Sequence, residues 1–259
     1  ATFNNPLDNW SPTLYPTSLT RSGKFLLGPF LMNGDVVGGV NDQMLYIGQV
    51  GGGLTPVARA GSPAPGTDAV FRFFNTSTCG LNDSGILAIV GILTGGSTTT
   101  SNNTGIWVGA AGSLSLVARQ GDPAPGTAGA TFGNFNGRQM LFNDSSQVVF
   151  MNVLEGGDVL PDHSNQLAVF AWSPATGLFL VARAGETIEV APGVFETFGT
   201  FGIATVNNTD GAPAGLRHDG KLATTVNFRS QDWGLMTVDL NCYPSSLAYR
   251  DADGDGFGD

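Results

Sequence analysis

The part of this 259-residue sequence with the clearest chemistry is a run of alternating aspartates near its end. Carboxylates at every second position of residues 251–255 can converge on one point, and Gly256 permits the sharp turn that such a loop needs. Hard oxygen donors in a flexible loop select Ca²⁺. The predicted calcium ligands are four carboxylates and one backbone carbonyl: Asp251, Asp253, Asp255, Asp259 and the carbonyl of Phe257.

This predicted calcium site lacks one expected ligand. A closing bidentate carboxylate would fall after residue 259, so the site is either incomplete or completed by another segment or another chain. The alternative interpretation of the same residues is an acidic, solvated terminus that binds no metal. Calcium is the only cofactor that the sequence predicts.

Catalytic chemistry has little support in the sequence. His163 has Asp158 and Asp162 nearby and His218 precedes Asp219, but no Gly-x-Ser-x-Gly nucleophile motif occurs. Two isolated histidines do not make a zinc site. A glycosidase-like carboxylate pair would have to come from four glutamates in variable loops: Glu155, Glu186, Glu189 and Glu196. We therefore predict a protein without enzymatic activity and assign no catalytic residue.

Composition and charge exclude several classes of protein. A formal net charge of −10 would repel the phosphate backbone of a nucleic acid and disfavours an anionic membrane surface. The 38 glycines and 14 prolines exclude a long helical bundle, because these are the two poorest helix formers. The longest apolar run, Ile86–Leu93, has the length of a strand, so no membrane span is predicted.

Several features favour an extracellular location, either secreted or at the cell surface. Lysine is scarce, and Ser, Thr, Asn and Gly are abundant. The N-terminus, residues 1–5, looks like the mature end left after signal-peptide removal, or else like a trimmed chain. Cys79 and Cys242 could pair with each other, or Cys242 could pair with a group beyond residue 259.

The chain contains internal repeats. The motif at residues 57–67, Val-Ala-Arg followed by Pro-Ala-Pro-Gly, recurs at residues 117–127, and a degraded third copy begins at Val181. The repeated arginines are Arg59, Arg119 and Arg183. They could form a binding ring, but repetition at a fixed strand position favours an architectural role, bonding the Pro-Gly loop or a carbonyl of the next repeat.

Two further elements recur between these copies. An Asn-Asp-Ser turn with its following strand is assigned at four places, the first of them weak: residues 31–37, 81–88, 142–150 and 216–223. An aromatic or aliphatic strand precedes each Val-Ala-Arg. Within these strands Trp107, Trp172 and Trp233 are interpreted as recurring at one repeat position, which favours a place in the core.

These units predict an all-β fold, namely a β-propeller-like array of about four four-stranded repeats. A β-solenoid and a β-sandwich are the alternatives, in that order. The predicted organisation is an N-terminal docking segment at residues 1–24, a tandem-repeat β domain at residues 25–240 and a calcium-binding tail at residues 241–259.

The linked motifs resemble those of a bacterial family of secreted tandem-repeat proteins, the NxxGxxAF-containing, choice-of-anchor family. Residues 82–88 carry the motif of that name, with Ile89 where the family has Phe, and residues 117–126 carry the second hallmark. The resemblance covers about residues 25–240 and implies secretion, a cell-surface or matrix role and no defined enzymatic activity. The aspartate tail is similar to the calcium loops of thrombospondin type-3-like repeats.

The expected function is that of an extracellular structural protein, a surface, biofilm-matrix or filament subunit stabilised by calcium. Residues 1–20 are too apolar for a free tail and too rich in proline for a helix, so they should dock on their own chain or along a neighbour's strand edge. The second arrangement would propagate head to tail. Expected partners are further copies of the chain or a surface polysaccharide. A carbohydrate-binding or adhesive module and a secreted polysaccharide-active enzyme are the alternatives.

Overall fold

The computed structural model describes residues 2–3, 18–203 and 215–241, and every regular element among them is a β-strand. The all-β prediction is therefore confirmed. None of these residues belongs to a helix with the length and apolar character needed to span a bilayer. The chain forms two compact units, residues 1–120 with 134–137 and residues 121–133 with 138–259.

The first unit contains two four-stranded antiparallel sheets and a short strand pair. In spatial order, the first sheet consists of β2 (Ser18–Leu19), β3 (Lys24–Leu27), β5 (Met44–Gln49) and β6 (Leu54–Arg59). The second sheet consists of β7 (Val70–Leu81), β8 (Leu87–Thr94), β9 (Thr104–Gly109) and β10 (Ser115–Arg119). The separate pair is formed by β1 (Thr2–Phe3) and β4 (Leu31–Met32).

The second unit repeats this plan. Its first sheet, the third of the chain, consists of β11 (Thr131–Phe132), β12 (Met140–Phe142), β13 (Val148–Glu155), β14 (Leu167–Ser173) and β15 (Gly177–Arg183). The fourth sheet consists of β16 (Thr187–Ala191), β17 (Val194–Gly202), β18 (Lys221–Phe228) and β19 (Trp233–Asp239). Each sheet is an antiparallel meander, and in the third sheet β11 and β12 both pair with β13 as two parts of one outer strand. This confirms the propeller-like array of about four four-stranded repeats.

A short turn before the second strand of the repeat defines the repeat register. In the second repeat, the backbone N–H of Asn82 donates to the Ile86 carbonyl (2.9 Å), and the Asn82 side-chain oxygen accepts the Ile86 N–H (2.9 Å). Asn143 makes the same two bonds with Gln147, at 3.2 and 2.9 Å. The predicted Asn-Asp-Ser turns at Asn82 and Asn143 are therefore structurally equivalent. Asparagine suits this position because its short side chain can accept a hydrogen bond from the backbone of its own turn.

The first copy of this turn lies at Thr20, so its predicted position at residues 31–37 was wrong. The Thr20 N–H donates to the Lys24 carbonyl (2.8 Å), and the Thr20 hydroxyl accepts the Lys24 N–H (3.0 Å). A threonine hydroxyl thus replaces the asparagine amide, which concealed the copy in the sequence. The Asn33-Gly34 pair belongs instead to the loop between the second and third strands of the first sheet.

Each unit has its own hydrophobic core. In the first unit, Trp107 is fully buried and meets Phe71 edge to face, with ring centroids 4.9 Å apart. In the second, residues of both sheets share one cluster that includes Val169, Phe198 and Val226. Apolar residues of both sheets are therefore buried together within each unit, and central strands such as β8 and β14 are buried on both faces.

The three tryptophans do not share one repeat position, contrary to the sequence interpretation. Trp107 pairs with Ile89, whereas Trp172 pairs with Val148 and Trp233 with Asn227. Trp172 is only half-buried, and Trp233 is 72% exposed. At the position equivalent to Trp107, measured from the turn of each repeat, the third repeat has Phe170 and the fourth has Met236. These two smaller apolar residues pair with Phe150 and Thr224.

The start of the N-terminal segment pairs with its own chain. Strand β1 is antiparallel to β4, with Phe3 opposite Leu31. The same register position is filled by Phe132 opposite Leu154 in the third sheet. Residues 2–3 therefore occupy the place of an outer strand of the repeat, as the own-chain docking alternative predicts. Residues 4–17 lie outside the described residues. The domain boundaries at residues 24 and 240 stay predictions.

The Pro-Ala-Pro-Gly motif forms the connection from one sheet to the next. Gly66 has φ +81°, and a Cβ there would lie 3.0 Å from Cβ of Leu116 on β10. In the second unit, Gly126 has φ +76°, and its Cβ would lie 2.9 Å from Cβ of Leu180 on β15. Both loops therefore lie against a fourth strand of the repeat, and both need glycine for conformation as well as for space.

Candidate functional site

The predicted calcium ligands lie outside the described residues. This applies to all five of them: Asp251, Asp253, Asp255, Phe257 and Asp259. Within residues 18–203 and 215–241, no three His, Cys, Asp or Glu side chains are grouped so that they could hold a metal ion. The calcium tail therefore stays a prediction.

The repeated arginines bind the loop between the second and third strands of their own sheet. Each donates through Nε to the backbone carbonyl of an asparagine near the end of that loop. The three bonds are Arg59 to Asn41 at 2.8 Å, Arg119 to Asn102 at 2.8 Å and Arg183 to Asn165 at 2.7 Å. We call each arginine–asparagine pair an arginine latch. The predicted architectural role is supported, but the acceptor is a carbonyl of the same repeat and not of the next one.

The asparagine of each latch also shapes its loop with its side chain. The Asn41 amide accepts the Val37 N–H (2.6 Å) and donates to the Asp35 carbonyl (3.0 Å). Asn165 repeats this pattern with the N–H of Leu160 (2.8 Å) and the carbonyl of Asp158 (3.0 Å). One side chain therefore closes the loop while its backbone carbonyl receives the guanidinium.

Two of the three latches also contain an ion pair. Arg59 Nη1 lies 2.6 Å from an Asp35 carboxylate oxygen, and Arg183 Nη1 lies 2.7 Å from one of Asp158. The Arg183 side chain is only 6% exposed, compared with 22% for Arg59. In the second repeat Ser97 replaces the loop aspartate, and its N–H and hydroxyl both donate to another carboxylate, Asp68.

The asparagines of the latches were not predicted from the sequence. The separation between asparagine and arginine is 18, 17 and 18 residues in the three repeats. This near-constant spacing is visible in the sequence. The loop sequences around the asparagines differ so much, however, that the asparagines are recognised only by their contacts with the arginines.

The latch carboxylates should make the stability of the fold sensitive to acid. Hydrogen bonds from Arg183 and Arg59 lower the pKa of Asp158 and of Asp35 below their ordinary values. The pKa of each carboxylate is lower in the folded than in the unfolded protein. The ion pairs therefore stabilise the fold fully above the unfolded-state pKa of about 3.9, and this stabilisation is lost as the pH falls through the folded-state pKa.

We expect the melting temperature to fall steeply below about pH 4 and to fall less steeply in an Asp35→Asn/Asp158→Asn variant. Thermal unfolding followed by circular dichroism between pH 7 and pH 2 would measure this. Parallel curves for the two proteins would show that the latches do not contribute to the acid sensitivity.

A second polar arrangement joins the turns of adjacent repeats within each unit. In the first unit, the Asp83 carboxylate accepts the Ser22 N–H (2.9 Å), and this bond is the main cause of the lowered pKa of Asp83. In the second unit, a carboxylate oxygen of Asp144 lies 3.2 Å from Nδ1 of His218. Asp83 and Asp144 occupy corresponding places in their turns, one residue after Asn82 and Asn143, which indicates a structural role.

The histidine contact has some of the components of a catalytic triad without its geometry. The Ser145 hydroxyl donates to the backbone carbonyl of His218 (2.6 Å) and not to its imidazole. Asp219, the sequence neighbour of His218, lies beside Arg217 instead (3.2 Å). The arrangement therefore fixes one turn on another and does not activate the serine.

The four candidate glutamates are not brought together as a carboxylate pair in the way a glycosidase needs. Glu186 accepts the Arg183 N–H (3.1 Å), and Glu189 accepts the Gly193 N–H (2.8 Å). Glu196 pairs with Ile188, the neighbour of Glu189, so the carboxylates of Glu189 and Glu196 leave the hairpin on opposite faces. Glu155 ends β13 and is exposed.

Cys79 lies half-buried on β7, where its thiol donates to the Thr76 carbonyl (3.0 Å). Cys242 lies outside the described residues, so the pairing of the two cysteines stays a prediction.

The repeat region as a whole matches a known family. No curated protein and no solved structure matches the chain. The family model, which is described as a family of unknown function, DUF7453, matches residues 22–241. The match spans the Asn82 and Asn143 turns and all but the first two residues of the Thr20 turn. The chain belongs to the DUF7453 family.

Proposed function

We propose that this protein is an extracellular structural protein, a surface, matrix or filament subunit that is stabilised by calcium. The observation that carries the proposal is the use of the recurring polar residues. Each arginine latch closes a loop, and each asparagine or threonine turn caps its own backbone. The recurring polar residues thus hold the loops and turns of the repeats in fixed conformations. A subunit under mechanical or proteolytic stress requires such rigidity.

Calcium enters this proposal through the aspartate tail. Bound calcium would neutralise part of the net charge of −10 and order the acidic terminus. A neighbouring copy could provide a further ligand to a calcium ion held by the tail, which would make association depend on calcium. Val194 and Phe195, at the tip of the β16–β17 hairpin, are 49% and 62% exposed and offer apolar surface for the same association.

Calorimetry can test the calcium part. The intact chain should take up about one Ca²⁺ with a Kd of about 10⁻⁴–10⁻³ M, the range of extracellular modules. The Asp253→Ala/Asp255→Ala variant should lose this uptake, whereas Asp232→Ala/Asp239→Ala, which removes two carboxylates outside the tail, should keep it. Equal uptake by the wild type and the tail variant would refute the site.

Light scattering can test the assembly part. The native protein in millimolar calcium should form particles larger than one chain, and EGTA should reduce them to monomers. A protein that is monomeric in millimolar calcium would contradict self-assembly and leave a monomeric structural protein.

The runner-up is a carbohydrate-binding or adhesive module. Its support is the exposed indole of Trp233, since aromatic rings of this kind can stack on sugars. One ring at a strand edge is weaker support than the repeated latches, and we rank this function second.

A further inference from the structure

The loop that an arginine latch closes, which we call the latched loop, lies against the connection that leads into the same sheet. In the first unit, a Cβ on Gly96 of the latched loop would lie 2.5 Å from the carbonyl oxygen of Asp68, in the connection between β6 and β7. In the second unit, a Cβ on Gly157 would overlap the backbone of Gly129, in the connection between β10 and β11. Loop and connection therefore meet at the same place in both repeats.

In the third repeat, a carboxylate of the latched loop joins this meeting point to the arginine. One oxygen of Asp158, Oδ2, accepts the backbone N–H of Ala128 (3.1 Å) and the Nη1 of Arg183 (2.7 Å). Ala128 belongs to the connection, and Arg183 ends the strand that precedes the next connection. A single carboxylate therefore holds three segments of the chain together.

In the second repeat, the carboxylate comes from the other side of the same meeting point. Ser97 stands at the place of Asp158, directly after two glycines in both loops. Asp68 stands at the place of Ala128, directly after the threonine that ends the Pro-Ala-Pro-Gly motif. The two oxygens of Asp68 accept the Ser97 N–H (2.8 Å) and the Ser97 hydroxyl (2.9 Å). Donor and acceptor have thus exchanged sides between the two repeats.

This exchange accounts for the arginine of the second latch. Among the described residues, Arg119 donates to the Asn102 carbonyl but makes no direct ion pair, in contrast to Arg59 and Arg183. The pKa of Asp68 is lowered mainly by the hydrogen bonds from Ser97, and the charge of Arg119 contributes to the same shift. The guanidinium therefore has its counter-charge in the connection and not in its own loop.

We propose that Asp68 is the carboxylate of the second arginine latch, supplied by the connection instead of the latched loop. The proposal is independent of calcium binding and of assembly, because it concerns contacts within the first unit alone. It implies that the aspartate can be moved: a carboxylate at residue 97 should replace the one at residue 68, since Arg119 and the N–H of residue 68 would face it as Arg183 and Ala128 face Asp158.

Relocation of the aspartate in the full chain tests this proposal. Asp68→Ala should lower the melting temperature of the first unit by about 2–4 °C, the shift expected from a modest local loss. Asp68→Ala/Ser97→Asp should regain at least half of that loss. Asp68→Ala/Ser97→Asn is the matched control, because it provides the same shape without the charge and should regain clearly less. Thermal unfolding at pH 7, followed by circular dichroism, would measure all three variants beside the wild type.

Three results would overturn the proposal: no loss in Asp68→Ala, no recovery in Asp68→Ala/Ser97→Asp, or equal recovery in the asparagine control. Hydrogen exchange gives a local readout that does not depend on the melting temperature. The Ser97 amide donates to the Asp68 carboxylate, so it should exchange at least fivefold faster in Asp68→Ala than in the wild type. Unchanged exchange at this amide would also refute the role of Asp68.

Discussion

Replacing Arg183 with methionine should destabilise the second unit by about 3 kcal/mol. The substitution keeps an unbranched side chain of similar length but removes the Nε bond to the Asn165 carbonyl and the ion pair to Asp158. Both partners are held in place by the loop at residues 156–166, so they stay behind without their donor. The loss is large because Arg183 is 5% exposed and water cannot easily replace the guanidinium.

Arg59→Met is the matched control for this experiment. Arg59 makes the same Nε bond and the same type of ion pair, but its partner Asp35 is well exposed and both groups can be rehydrated. We expect a clearly smaller loss than at Arg183. Urea unfolding of the two variants and the wild type would measure the difference, and equal losses would show that burial does not decide the strength of the latch.

Truncation of Trp107 to alanine should cost about 3–5 kcal/mol, the range for a large aromatic residue removed from a core. The indole is fully buried and meets Phe71 edge to face. Its Nε1 also donates to the Pro65 carbonyl (2.9 Å), which fixes the loop between the first two sheets. The variant would therefore lose packing and leave a carbonyl of the connecting loop without its donor.

Trp233→Ala provides the comparison at an exposed position. Trp233 is 72% exposed, so its truncation should change the free energy of unfolding by no more than about 0.5 kcal/mol. Denaturant unfolding of both alanine variants would separate the two tryptophans. A large loss at Trp233 would mean that its ring is covered by a part of the protein outside the described residues.

The local chemistry of the repeats could be predicted from the sequence. Glycine, proline and asparagine interrupt short apolar strands at regular intervals, which excludes long helices and favours an all-β array. The Asn82 and Asn143 turns depend on a side chain that bonds its own backbone, and such a signal is complete within a few residues. The arginines were also recognisable as architectural, because they recur at the end of the same strand.

Strand register and long-range partners were decided by the tertiary structure. Trp107 and Trp233 look alike in the sequence, but Trp107 lies in β9, where residues 104–108 are all buried, whereas Trp233 begins β19, where only Met236 is buried. The Thr20 turn was hidden because a hydroxyl can replace an amide oxygen in the same bond. The asparagine that receives each arginine comes from a loop of variable sequence, and only folding of the sheet brings that loop's end beside the strand that carries the arginine.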